Sequence, residues 1–294
     1  MTSTTTTPAS LTGASRPPAL TFIGILRSEW IKMITVRSTL WGYVLIAGLT
    51  IGLALLVAAV LPLDSTAAAT PSRAPAALEG SPELRWLTIT TIGVGFGQLV
   101  VMVIGALAIT GEYGTGMIRS TFTAVPRRLP ALFAKALVFA VSTFVLAAAS
   151  ITAAALLARL ILVSRGLTPD LGDSGVWLAL LGAAAYLTLL GVLALALGTI
   201  IRSTAGAIAT ALGLILVVPT VFGLLARLIN ADWLSNLGAF LPSSAGSRAY
   251  SYQPTAVVTD GMVTLDGIQG ILVLLAWVVV AGGMAIALVK RRDV

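Results

Sequence analysis

Six apolar stretches divide this chain: Trp41–Leu61, Leu87–Thr110, Leu132–Val163, Val176–Ile200, Ala207–Leu228 and Gly270–Val289. A bilayer core needs roughly 20 apolar residues per helix. Backbone amides in lipid have no water to bond, so only helices and closed barrels cross it. These stretches are too long for barrel strands and lack the in–out alternation of one. They predict an all-α membrane protein with six transmembrane helices. Charged residues make up only 10% of the 294 and mean hydropathy is +1.01. A soluble domain carries about 25% charged residues, so this chain has too little polar surface to cover a water-facing globule.

Residue types that are missing narrow the chemistry. There is no Cys and no His, which removes disulfides, thiol catalysis, the usual zinc and haem ligands and any His-based triad. No G-x-x-x-x-G-K-[ST] motif occurs, and no soluble segment is long enough for a nucleotide-binding fold. Residues 1–19, rich in Thr, Ser and Pro, have neither the basic start nor the apolar core of a secretory signal. They are expected to form a disordered cytosolic tail, with the first span acting as an uncleaved targeting element.

Six spans place both termini on one side, and the basic residues identify it. Arg16, Arg27, Lys32, Arg37, Arg119, Arg127, Arg128, Lys135, Arg202, Lys290, Arg291 and Arg292 fall on the side of the termini, against Arg73, Arg85, Arg159, Arg165, Arg227 and Arg248 opposite. With the acidic residues included, the balance is +9 against −2. The positive-inside rule makes the first side cytoplasmic. The basic balance is thus a topology and lipid-headgroup signal, not one of nucleic-acid binding.

Leu20–Val36 is amphipathic and forms the interfacial part of a 20–40 segment that precedes the six-span body, 41–294. At about 100° per residue, Phe22, Ile23, Leu26, Trp30, Met33 and Ile34 share one arc, Gly24, Ser28, Lys32 and Thr35 oppose it, and Glu29 sits at its edge. Such a helix lies in the membrane interface, as a plain anchor or as a lever on a cytosolic partner. The loop 111–131 is the most polar and basic part of the chain's first half. Gly111, Gly114 and Gly116 are expected to let the chain turn, and Thr115 to cap a short helix over Thr115–Ala124, stopped by Pro126 with Arg127 and Arg128 at its C-terminal dipole. The following helix, near Pro130 to Val163, is too long for the bilayer and projects into the cytosol. The loop reads either as a docking knob or as an ordinary re-entry turn.

On the other side, Pro62–Arg85 reads as a flexible loop. Ile229–Gln269, with "ADWLSNLGAFLPSSAG", is too apolar for a solvated linker and suggests re-entrant or interfacial segments, a lid over a pathway or a packed cap. No Asp, Glu, Lys or Arg lies in the middle third of any span, which argues against an ion-coupled carrier. Thr91, Gln98, Pro219 and Thr220 are the expected pathway lining on polarity alone, Pro219 kinking the fifth span as a hinge or a static bend. Gly48-x-x-x-Gly52 and Gly93-x-x-x-Gly97 permit close helix approach.

"LRSEWIKMITVRSTLW" (Leu26–Trp41), "GEYGTGMIRSTFTAVPRR" (Gly111–Arg128), Lys135 at the head of span three, "FLPSSAG" (Phe240–Gly246) and the final "VKRRDV" occur in that order. Together they resemble actinobacterial type-2 ATP-binding-cassette (ABC) permeases from Leu20 onward. The resemblance implies the membrane subunit of an exporter in a bacterial plasma membrane, pairing with a second copy or a paralogue and driven by two separate cytosolic ABC ATPase subunits. ATP and Mg²⁺ would be bound by those partners, with no cofactor in this chain and no catalysis of its own. By the same resemblance Glu112, Tyr113, Gly116, Ile118, Arg119, Arg127 and Arg128 form the ATPase contact, with Glu29 and Lys32 on the N-terminal helix beside them. Met117 departs from the Thr more common in the family. A scaffold or sensor that merely recruits an ATPase is the alternative, and a membrane-embedded enzyme the weakest one.

Overall fold

The computed structural model describes residues 21–61, 80–117, 128–230, 232–252, 258–259 and 262–291. Helix α1 (Phe22–Thr35) precedes α2 (Arg37–Val60), α3 (Pro82–Gly114), α4 (Arg128–Ser164) and α5 (Ser174–Ile201). Then come α6 (Thr204–Leu212), a π turn (Gly213–Val217), α7 (Val218–Ile229), α8 (Asp232–Ala239), α9 (Pro242–Ser247), a 3₁₀ turn (Arg248–Tyr250) and α10 (Gly267–Arg291). A two-residue antiparallel ladder, Val258–Thr259 with Met262–Val263, is the only strand pairing among the described residues. Six helices are long and apolar enough to cross a bilayer: α2, α3, α4, α5, the run Thr204–Ile229, and α10. The chain is an all-α, multi-pass membrane protein.

Each helix overruns its apolar stretch by a few residues, because polar caps belong to the helix but not to the hydropathy signal. Ser81 accepts from the Leu84 amide with Pro82 in the first turn of α3, and Asp173 caps α5 through the Gly175 amide. Thus Pro82–Arg85, read as loop, is helical. At the other end α3 runs through Gly111 to Gly114, so those glycines do not turn the chain. The turn comes at Thr115 and Gly116, the latter at φ +71°, where an L side chain is strained. Thr115 closes α3, its amide and hydroxyl both donating to Gly111 O; the short helix expected over Thr115–Ala124 lies, from residue 118 on, outside the described residues.

The core is built around α5, whose most apolar stretch is 72% buried, against 22% for α2 and 11% for Thr204–Ile229. Helices α3, α4 and α10 pack on it, and α2 packs across α3 and α4. Glycine sets the closest crossings: a Cβ at Gly105 would meet Gly191 O at 2.2 Å, and one at Gly93 would meet the Thr50 Cα at 2.5 Å. The Gly93 motif is thus consumed within the chain, whereas Gly48 and Gly52 face open space. Polar ties lock the bundle, since a hydrogen bond in a lipid-like surrounding has no water competing for it. Trp86 Nε1 donates to Ala155 O at 2.8 Å, and the Tyr43 hydroxyl meets Thr143 and Ser142. Arg165 Nη1 donates to the Ala58 and Ala59 carbonyls that end α2, at 2.6 and 3.1 Å.

The regular hydrogen bonding of the fifth span is interrupted at two adjoining places. Pro219 has no amide proton, and its ring opposes the carbonyl four residues earlier, Ile215. The π turn at Gly213–Val217 widens the helix at that point. Beyond it, α7 packs chiefly on α8 and the π turn, not on the bundle core.

Candidate functional site

Four charged side chains meet where α1, the end of α3 and the start of α4 converge. Glu29 and Lys32 lie three residues apart on α1, hence on one face. Glu112 reaches them because α3 continues past its apolar stretch, and Lys135 lies two turns into α4. Lys32 Nζ donates to Glu29 Oε1 at 2.7 Å and Glu112 Oε1 at 3.1 Å. Lys135 Nζ donates to Glu29 Oε2 at 2.6 Å and Glu112 Oε1 at 2.8 Å. The result is a closed ring of alternating sign and zero net charge.

This ring is internal. Glu29 is 2% exposed, Glu112 8% and Lys135 9%. Burial alone would push the Glu29 carboxyl up, but Lys135 and then Lys32 hold it below the ordinary glutamate value. For Lys32, burial pulls down while hydrogen bonding to Glu29 and the charge of Glu112 outweigh it, and the ammonium sits above its ordinary value. Both shifts favour the charged forms. Glu112 Oε2 is buried without a hydrogen-bond partner among the described residues, so one acceptor of the ring is unused. A cavity of about 370 Å³ opens beside the ring, bounded by Met33, Val36, Leu107, Met117 and Phe139.

The lipid-facing arc expected for α1 is partly realised. Phe22, Ile23, Trp30 and Ile34 are exposed, whereas Ile25 and Glu29 are the buried positions and α1 packs on α4 and α2. The helix therefore has an outward apolar side and an inward side ending in the ring.

Of the other residues expected at the partner contact, Tyr113 is next to the ring and carries the Arg202 guanidinium over its face, 5.3 Å from the centroid. Arg202 ends α5 in the left-handed region, at φ 59°, with Nε and Nη2 buried and without a hydrogen-bond partner among the described residues. Gly116 is exposed at the turn. Ile118, Arg119 and Arg127 lie outside the described residues, and Arg128 begins α4 with its side chain outside them. The structure thus brings Glu29, Lys32 and Glu112 together with Lys135, and Tyr113 with Arg202. Lys135 and Arg202 were not singled out as site residues in the sequence. Their signal was being the lone cation at the head of one span and in the tight turn between two others.

The four pathway candidates do not converge within one chain. Thr91 donates to Leu87 O and Thr220 to Leu216 O, each satisfied on its own helix. Gln98 accepts from the buried Tyr186 hydroxyl. Pro219 and Thr220 sit on α7, apart from the α3 positions Thr91 and Gln98, because α7 leaves the core. Among the described residues no group of three metal-ligating side chains occurs. No family model matches the chain, and no curated protein matches it.

Proposed function

We propose that this chain is the permease subunit of a type-2 ABC exporter in a bacterial plasma membrane. It works as a dimer with a second copy or a paralogue, surrounded by membrane lipid. Two cytosolic ATPase subunits dock on the face carrying the 111–131 loop and α1, and they bind and hydrolyse the ATP, with its Mg²⁺. The observation that carries this reading is the Glu29–Lys32–Glu112–Lys135 ring. It joins an interfacial helix to the two spans that flank the loop, which is the connection a push from outside the membrane requires.

The ring acts by making separation costly. Pulling α1 away from α3 and α4 would leave buried charges unpaired, and breaking a buried pair costs on the order of 3–5 kcal/mol. Displacement of the loop or of α1 is therefore transmitted to α3 and α4 together instead of being absorbed at one joint. Glu29, Lys32 and Glu112 serve here as internal struts; the contact surface itself falls to the exposed turn at Thr115–Met117 and to Ile118, Arg119, Arg127 and Arg128. Thr91, Gln98, Pro219 and Thr220 could line a pathway only between subunits.

The test is substitution of Arg119 by Ala, beside Glu112 by Ala, with ATPase co-purification and efflux measured for each. Arg119→Ala should weaken retention of the ATPase, whereas Glu112→Ala should retain it and lose efflux. Unchanged retention and unchanged efflux in both would refute the assignment. ATP hydrolysis that no compound stimulates would favour a recruiting scaffold instead.

A further inference from the structure

At the end of the bundle remote from the ring, a groove of about 550 Å³ opens between α5 and α10, with Phe144 of α4 in its wall. Pockets of this size are typical of small-ligand sites. Gly175, Ala179, Gly182 and Ala185 recur at three- and four-residue spacing on one face of α5 and form the concave floor. Leu178 and Ile268, 68% and 70% exposed, stand at its sides. From Gly175 to Ala185 the floor runs ten residues, about 15 Å at 1.5 Å per residue. That is half of a hydrocarbon layer of about 30 Å, the depth of one leaflet.

Two carboxylates stand at the mouth of the groove, with Arg248 packed against Gly270 behind it. Asp266 lines it and accepts from the Gln269 amide at 2.6 Å. Asp173 stands beside Gly175, accepting from the Gly175 amide at 2.8 Å and from the Tyr252 hydroxyl. The Tyr252 hydrogen bond, and after it the Gly175 amide, hold the Asp173 carboxyl below its ordinary value, so it is charged at neutral pH. Neither carboxylate has an ion pair among the described residues. One-leaflet apolar depth under two carboxylates that form no ion pair among the described residues matches an amphiphile with a cationic head.

We infer that this groove holds one acyl chain of a membrane phospholipid whose protonated amine headgroup pairs with Asp266, with Asp173 alongside. This site is separate from the coupling face and stands whether or not the chain is a permease.

The test uses the full chain in phosphatidylcholine vesicles holding a trace of phospholipid with a photoreactive acyl chain, headed by ethanolamine in one sample and glycerol in the other. After irradiation, labelled peptides are mapped. The ethanolamine probe should label residues 175–185 and 267–271 roughly two- to fivefold more than the glycerol probe, the range of an exposed ion pair. Asp266→Asn with Asp173→Asn should bring that ratio toward one while keeping the helices capped, since Asn caps as well as Asp. Ala185→Phe, which fills the floor, should lower labelling by both probes. Equal labelling by the two probes, or a ratio that survives the double Asn variant, overturns the proposal. So does absence of label from the groove, which would mean that a second copy or another protein covers it.

Discussion

Replacing Lys135 by Met keeps the length of the side chain and removes one charge from the ring. Two contacts, at 2.6 and 2.8 Å, disappear. Glu29 and Glu112, whose side chains are 3% and 10% exposed, are left with Lys32 alone, so the cluster changes from neutral to −1. The cost has a ceiling, because the protein can neutralise one carboxylate by binding a proton. From an ordinary glutamate value of 4.5 to pH 7, that takes 2.5 units at 1.36 kcal/mol each, about 3.4 kcal/mol. Lys32, 29% exposed, and water at the rim offset some of it, so a loss of about 3 kcal/mol is expected. In the variant the carboxyl pKa lies above its unfolded value, so the folded state binds the extra proton and gains stability as pH falls. Between pH 7 and pH 5 up to about 2.7 kcal/mol should return. Thermal unfolding in detergent, followed by tryptophan fluorescence, reads this as an apparent Tm lowered by roughly 5–10 °C at pH 7, largely restored at pH 5. Adding Glu112→Gln should restore charge balance and part of the stability at pH 7. A variant as stable as the parent, or a loss equal at both pH values, would refute the reasoning.

Three further outcomes are expected. In the parent protein Glu29 is depressed, so its contribution is complete above pH 4.5 and disappears as pH falls through the lower folded value. Lys32 is raised, so its contribution holds up to pH 10.5 and is lost above that; a pH series of Tm should show a plateau between, with the acid limb flattened in Glu29→Gln. Gly105→Ala drives a methyl into Gly191 O and should cost more than about 2 kcal/mol, whereas Gly48→Ala meets nothing and should leave monomer stability within about 0.5 kcal/mol; equal effects on Tm would contradict the crossing geometry. Because the chain lacks Cys, single cysteines at Thr115 and at Gly166 should react with an impermeant thiol reagent from opposite sides of intact cells, Thr115 only after access to the cytosol.

The spans were legible because apolar length is a composition signal that tertiary structure does not override in lipid. Their ends were less so, since Ser81, Pro82 and Asp173 act through cap geometry, which a hydropathy count does not register. The turn after α3 was misplaced for a related reason. Three glycines share one short segment, and only packing decides that Gly111 and Gly114 stay helical while Gly116 takes positive φ. Glu29, Lys32 and Glu112 were picked out individually, but their union is a contact across 80 residues of sequence, invisible to any local pattern. The four residues expected along a pathway do not lie together within one chain because α7 packs away from α3, a placement that polarity alone does not announce.

The claim on which the rest depends is that an ATPase engages the turn beside the ring. Gly114 is exposed and a Cβ there meets nothing among the described residues, so a photoreactive amino acid is placed at that position. Irradiation in native membranes, followed by mass spectrometry of the adduct, should give a single dominant cross-link to a protein containing a P-loop, weakened when Arg119→Ala is added to the same chain and retained with Glu112→Ala. Adducts to lipid alone, or to a protein reachable only from outside the cell, would contradict it.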